Sequence, residues 1–198
     1  MKLLAMIPGV LAMAALLGCE IPDAASLFED TKEYRYARAT QAMSYLKKYQ
    51  VAANFNQVET GHYGLLQNLY ENGDPSGMIS DALYQAWDGQ VSPQPLEGYL
   101  FSNVETDPSG APIDQSERAG LCAYPSEPGK TGDLIVCVLA DPRHFTAEAL
   151  EGGGYVSHGE EWTFYTASYE DIGEPVRHWP SDDALADKFR ALKPRLRR

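Results

Sequence analysis

Four histidines, three cysteines and a set of adjacent acids are the residues of this chain able to do chemistry. His62, His144, His158 and His178 never stand four apart, and no HExxH or related metal-ligand spacing occurs. The sequence predicts no metal site and no cofactor. Ser76 and Ser157 lie outside any GxSxG elbow, which a serine nucleophile on a strand-to-helix turn would need. Glu160-Glu161, Glu170-Asp171 and Asp182-Asp183 are neighbours in sequence, not a pair held across a cleft as glycoside hydrolysis demands. They read as solvated surface. Gly129-Lys130-Thr131 has the tail of a phosphate loop, but the upstream glycine is missing and a strand-like run follows where a helix is required. That segment reads as a hairpin connection. No catalytic residue is assigned, and the expectation is a protein that is not an enzyme.

The chemistry that remains belongs to cysteine. Lys2 is followed by an uncharged run from residue 3 to residue 17, and then by Leu16-Leu17-Gly18-Cys19. A charged start, an apolar stretch of roughly 7–15 residues and a small residue at the cut form the export-signal pattern. A membrane-crossing helix needs about 20 apolar residues. The order Leu-Leu-Gly-Cys resembles the lipobox of bacterial lipoproteins. The resemblance implies cleavage before Cys19, acylation of Cys19 and attachment to a membrane through lipid. More than one chain is needed for stable anchoring, each buried CH₂ contributing roughly 0.8 kcal/mol. Glu20, where lipoproteins kept at the inner membrane often carry Asp, favours the outer membrane of a cell envelope. An ordinary secretory signal with a chance cysteine is the alternative.

Export also bears on Cys122 and Cys137, because oxidising compartments favour disulfides. Each lies in a strand-like run, Ala119–Tyr124 and Leu134–Ala140, and the intervening PSEPGKTGD is rich in turn residues. If the runs pair as a hairpin, the cysteines sit opposite each other and a bridge between them is expected. The alternative is two buried free thiols. The formal charge of −12 argues against nucleic acid as a partner, since phosphate binding needs clustered cations. Only the end of the chain is basic, from Lys188 and Arg190 through Lys193, Arg195, Arg197 and Arg198.

The elements that must hold these residues follow from period and punctuation. Residues 1–18 read as signal peptide and 19–28 as a tether. A single domain over 29–198 follows. It opens with a helix from Glu29-Asp30 to Thr60-Gly61, whose Ala39, Met43, Leu46 and Ala53 share a face beside Ala42, Tyr45 and Tyr49. A short helix is predicted around Leu65–Tyr70, stopped by Asn72-Gly73-Asp74-Pro75, and another from Met78 to Trp87. Strands are predicted at Gly98–Val104, Ala119–Tyr124, Asp133–Ala140 and Trp162–Tyr169. Phe145–Leu150 reads as a helical turn and Gly152-Gly153-Gly154 as a flexible break. A short basic C-terminal helix is predicted over Asp182–Leu192, with Ser181 as its N-cap. This is an α+β layout, a long helix packed on one face of an antiparallel meander.

The stretch YLKKYQVAANFNQVETGHYGLLQNL resembles the helix and following turn of type IV pilin-like and pseudopilin-like proteins. Phe55, Gly61, Tyr63, Leu66 and Leu69 carry the match. GYLF and AYPSEPGKTGDLIV resemble the sheet core of a pilin-like bacterial secreted family of unknown function, through Gly98, Tyr99, Phe101, Ala123, Tyr124, Pro125, Gly129, Gly132 and Leu134. The resemblance implies a pilin-like head. True prepilins are cut before their apolar helix and keep it as filament core, whereas here the apolar stretch precedes the cut. The expected function is therefore a lipid-anchored structural or protein-interaction role, with an envelope protein as partner. The alternative is a module for a glycan or cell-wall polymer, using Trp162, Tyr165 and Trp179 as an aromatic surface.

Overall fold

The computed structural model describes residues 32–74, 76–141, 146–149, 155–158 and 162–192. Cys19, the segments expected as signal peptide and tether, His144, Gly152-Gly153-Gly154, Glu160-Glu161 and the end of the basic tail lie outside the described residues. The first element, α1, runs from Lys32 to Thr60. Ala39, Ala42, Leu46, Tyr49, Ala52 and Ala53 are its buried residues, close to the predicted stripe. Met43 and Tyr45 pack against the same core while partly buried. Four alanines on the inner face let the helix backbone approach the sheet closely. Leu46 and Tyr49 then fill the space between. No helix among the described residues is long and apolar enough to cross a membrane.

Two short helices follow, α2 at Leu66–Glu71 and α3 at Asp81–Gln85. The second is shorter than the predicted Met78–Trp87 because Ser80 caps it, its hydroxyl accepting the Leu83 N–H. The main sheet has five antiparallel strands: β1 Tyr99–Asn103, β2 Ala119–Pro125, β3 Leu134–Ala140, β6 Trp162–Ser168 and β7 Arg190–Leu192. They stand in the order β1-β2-β3-β6-β7. Strands β4, Thr146–Ala149, and β5, Tyr155–His158, form a separate two-stranded hairpin between β3 and β6. The α+β class is therefore present.

Two local expectations are corrected. The predicted helical turn at Phe145–Leu150 is strand β4 from Thr146 to Ala149, paired in register with Tyr155–His158. Over four residues intrinsic helix preference is weak, and cross-strand hydrogen bonds outweigh it. The predicted C-terminal helix over Asp182–Leu192 stops at Asp187, giving the six-residue helix α5. The chain then becomes extended, and Arg190, Ala191 and Leu192 pair with Thr166, Tyr165 and Phe164. A helix this short gains little from extension, whereas the open edge of β6 offers backbone partners at once. Ser181 does cap α5, accepting the Ala184 N–H.

Both faces of the sheet are covered. One face lies under α1 and contributes Tyr99, Phe101, Leu121, Val136 and Val138 to the main core. The other holds Cys122, Tyr124, Ile135, Cys137, Leu139 and Tyr165, closed by Val176, Trp179 and Phe189 of the C-terminal segment. That segment includes the four-residue helix α4, Tyr169–Ile172. Double coverage is why every residue of β2 is buried, and why β3 reads as the uninterrupted apolar run Leu134–Ala140.

Candidate functional site

The groove beside α1 follows from how the helix crosses the sheet. It covers β2, β3 and the start of β6 at Trp162, and leaves the flank over the end of β6 and over β7 open. The opening is a half-open groove of about 840 Å³, within the roughly 300–1,000 Å³ typical of ligand sites. Its roof is the first half of α1, where Tyr36, Thr40 and Met43 stand at i, i+4 and i+7. Its floor is Leu134 and Val136 of β3 with Thr166 of β6. Its far wall is the short edge strand β7, through Arg190 and Ala191, preceded by Lys188. The floor is apolar because β3 is a core strand. The wall is basic because the chain turns basic where β7 begins.

Tyr36 is 69% exposed, a large aromatic left on the roof. Lys188 donates to the backbone carbonyl of Asp171 at 3.3 Å. At the other end of the flank, the Lys47 ammonium stands 6.0 Å from the centre of the Phe164 ring. The cations along this side contrast with the acidic chain as a whole. Near the start of α1, Arg35 pairs with Asp133 at 2.8 Å and donates to the carbonyl of Gly129 at 2.8 Å. Those contacts tie the helix to the β2–β3 connection and fix one end of the groove. The connection itself is a hairpin turn, as predicted: the Gly129 N–H donates to the Gly132 carbonyl at 2.9 Å, and β2 pairs antiparallel with β3. Sequence reasoning placed Met43 on the packed face of the helix and Arg190 in the basic end of the chain but assigned neither to a site, and it did not single out Tyr36 or Thr40. The i, i+4, i+7 spacing was available as a signal, but the position of β7 was not.

The aromatic surface expected from Trp162, Tyr165 and Trp179 is not formed. Trp162 is 4% exposed, Tyr165 8% and Trp179 4%. Trp162 lies on the α1 side of the sheet, its indole N–H donating to Asn54 Oδ1 at 2.7 Å. Tyr49 and Tyr63 meet its ring edge-on. Tyr165 and Trp179 belong to the opposite core, where Phe189 stands edge-on to Tyr165 and the Arg118 guanidinium lies 5.2 Å from the Trp179 ring. Rings this large fill space between layers and are worth more there than in water.

Cys122 and Cys137 are opposite each other in the β2–β3 register and joined by a disulfide, with Cα atoms 4.0 Å apart. Both are fully buried. Among the described residues no group of three or more His, Cys, Asp or Glu is placed to hold a metal ion. The ordinary role of polar clusters here is structural. The Asp74 carboxylate accepts backbone N–H groups of Ser76, Met78 and Ile79 at 2.9, 2.6 and 2.8 Å. Burial alone would raise it, but these bonds and the Ser76 hydroxyl outweigh burial and hold it below the usual carboxylate range. Asp88 is the opposite case. Burial raises its carboxyl even though Arg177 Nη2 pairs with it at 2.7 Å and Tyr124 donates to it at 3.3 Å.

No protein-family model, curated protein or solved structure matches the chain.

Proposed function

We propose that this is a lipid-anchored, pilin-like protein of the cell envelope that works by binding another envelope protein rather than by catalysis. The observation that carries the reading is Leu16-Leu17-Gly18-Cys19 after an uncharged run, the pattern of a lipidated export signal. The disulfide supports it, because a buried Cys122–Cys137 bridge suits an oxidising compartment. The long helix over an antiparallel sheet supports the pilin-like part of the reading. The α1–β7 groove is the docking place. Its occupant is an extended acidic segment with apolar side chains, contributed by the partner protein. The apolar floor takes the side chains, Lys188 and Arg190 face the acids, and the β7 edge offers backbone partners.

The anchor and the groove are tested separately. Cys19→Ala is expected to move the protein from the membrane to the soluble fraction; continued membrane attachment would refute the lipoprotein reading. Photo-crosslinkers placed at Tyr36 and Ala191 are expected to capture one and the same envelope protein in cells. Charge reversal at Lys188 and Arg190 should abolish that capture. Absence of capture at both positions, or capture indifferent to charge reversal, refutes the groove as the docking place.

A further inference from the structure

The side of α1 turned away from the sheet carries Val51, Phe55 and Val58 at i, i+4 and i+7. They are 39%, 51% and 81% exposed. These three fall on one line of the helix, opposite the buried Leu46, Tyr49 and Ala53. Phe and Val are poor solvent-facing residues, and three in one stripe make an apolar strip along the last turns of a polar helix.

Charges bracket the strip in a particular way. Lys48 precedes it and Glu59 follows it, and both are exposed. With 3.6 residues per turn, Lys48 and Glu59 lie about 60° and about 80° around the axis from Val51, on the same flank. We propose that this strip pairs α1 with α1 of a second copy of the chain, antiparallel, about a two-fold axis passing between Ala53 and Asn54. A two-fold perpendicular to the helices reverses their direction and keeps each flank facing its own counterpart. Lys48 then meets the partner's Glu59, and the symmetric contact repeats it. The same register sets Val51 beside the partner's Phe55, closing the strip on itself. Parallel pairing would instead turn this flank to the partner's opposite flank, which carries Lys47 about 40° from Val51 on the other side, so that Lys48 would meet the partner's Lys47. The charge pattern therefore selects both the occupant and its direction.

The strip is small beside the ~800 Å² per partner of stable complexes. The dimer is accordingly weak, in the range of about 10 μM to 1 mM. This interface lies on the face of α1 opposite the sheet and does not depend on the groove or on the anchor.

The test is sedimentation equilibrium of the full chain in neutral detergent, at protein concentrations up to about 1 mM. The wild-type chain should dimerise reversibly, and Phe55→Ser should leave it monomeric. Lys48→Glu and Glu59→Lys should each weaken the dimer about fivefold, since each places like charges together twice. The two changes combined should restore wild-type association, because the pair is re-formed with its signs exchanged. Far-UV circular dichroism checks that each variant is folded; all three side chains are exposed, so the fold is expected to be unaffected. A wild-type chain that stays monomeric throughout overturns the proposal and leaves the strip to a lipid surface or to another protein. A dimer indifferent to Phe55→Ser, or a double exchange as weak as the single ones, overturns it equally.

Discussion

Replacing Cys122 and Cys137 together by alanine tests the unfolded state as much as the folded one. The bridge joins residues 15 apart in sequence. Freeing a loop of that length returns conformational entropy to the unfolded chain worth about 3 kcal/mol. The native hairpin is held without the bridge by the β2–β3 ladder, in which Ala119–Ala123 pair with Ala140–Val136. Alanine keeps both sites small and apolar in the core that also holds Leu139 and Trp179. The folded state therefore persists while its margin shrinks. For a chain of this size each kcal/mol moves the midpoint by roughly 2–4 °C, so Tm should fall by about 6–12 °C. Urea denaturation distinguishes the mechanism. An unbridged unfolded state exposes more surface, so the m-value should rise in the double variant. A Tm within about 2 °C of wild type would refute the entropic argument for this loop. Thiol labelling of both cysteines in the denatured, unreduced protein would remove its premise.

Three further outcomes follow from the packing. Trp162→Ala should destabilise by about 3–5 kcal/mol, measured by urea denaturation, because it removes the ring that Tyr49 and Tyr63 meet edge-on; a loss under about 1 kcal/mol would show that the layer between α1 and β6 is not close-packed. Gly120→Ala should cost about 1–3 kcal/mol in the same assay, since a Cβ there stands 2.6 Å from Leu139 Cδ2 and 3.0 Å from Val104 Cβ; an unchanged midpoint would mean that both side chains move aside freely. Asp74→Asn should lower Tm at neutral pH and flatten the acid limb of the Tm–pH curve. The lowered folded-state value of Asp74 means that its contribution is full above the unfolded carboxylate value of roughly 4 and is lost as pH falls through the folded value. An acid limb identical to wild type would contradict this.

Local pattern accounts for what was readable in the chain. The period of Ala39, Ala42, Leu46 and Tyr49 places the inner face of α1, because a helix repeats its faces every few residues whatever lies beyond it. The β-branched and aromatic runs place β1, β2, β3 and β6. Turn residues between two runs of similar length set Cys122 opposite Cys137. The proposed export and lipidation likewise follow from a local pattern, Leu16-Leu17-Gly18-Cys19 after an uncharged run, and the reading of Cys19 rests on sequence alone.

What covers each face of the sheet was decided only in three dimensions. A tryptophan looks the same in sequence whether it will face water or a core. Trp179 is buried because α5 and Phe189 return beneath the sheet, and Trp162 because Asn54 and two tyrosines enclose it. Residues 190–192 had a helical pattern locally, yet an open strand edge formed by residues 162–168 captured them. That edge also makes the groove: Tyr36 and Arg190 are 154 positions apart in the chain and line one cavity. Helical period and turn chemistry act over a few residues and are therefore legible in the sequence. Burial and strand pairing join segments whose separation the sequence does not encode locally, so the tertiary structure alone decides them.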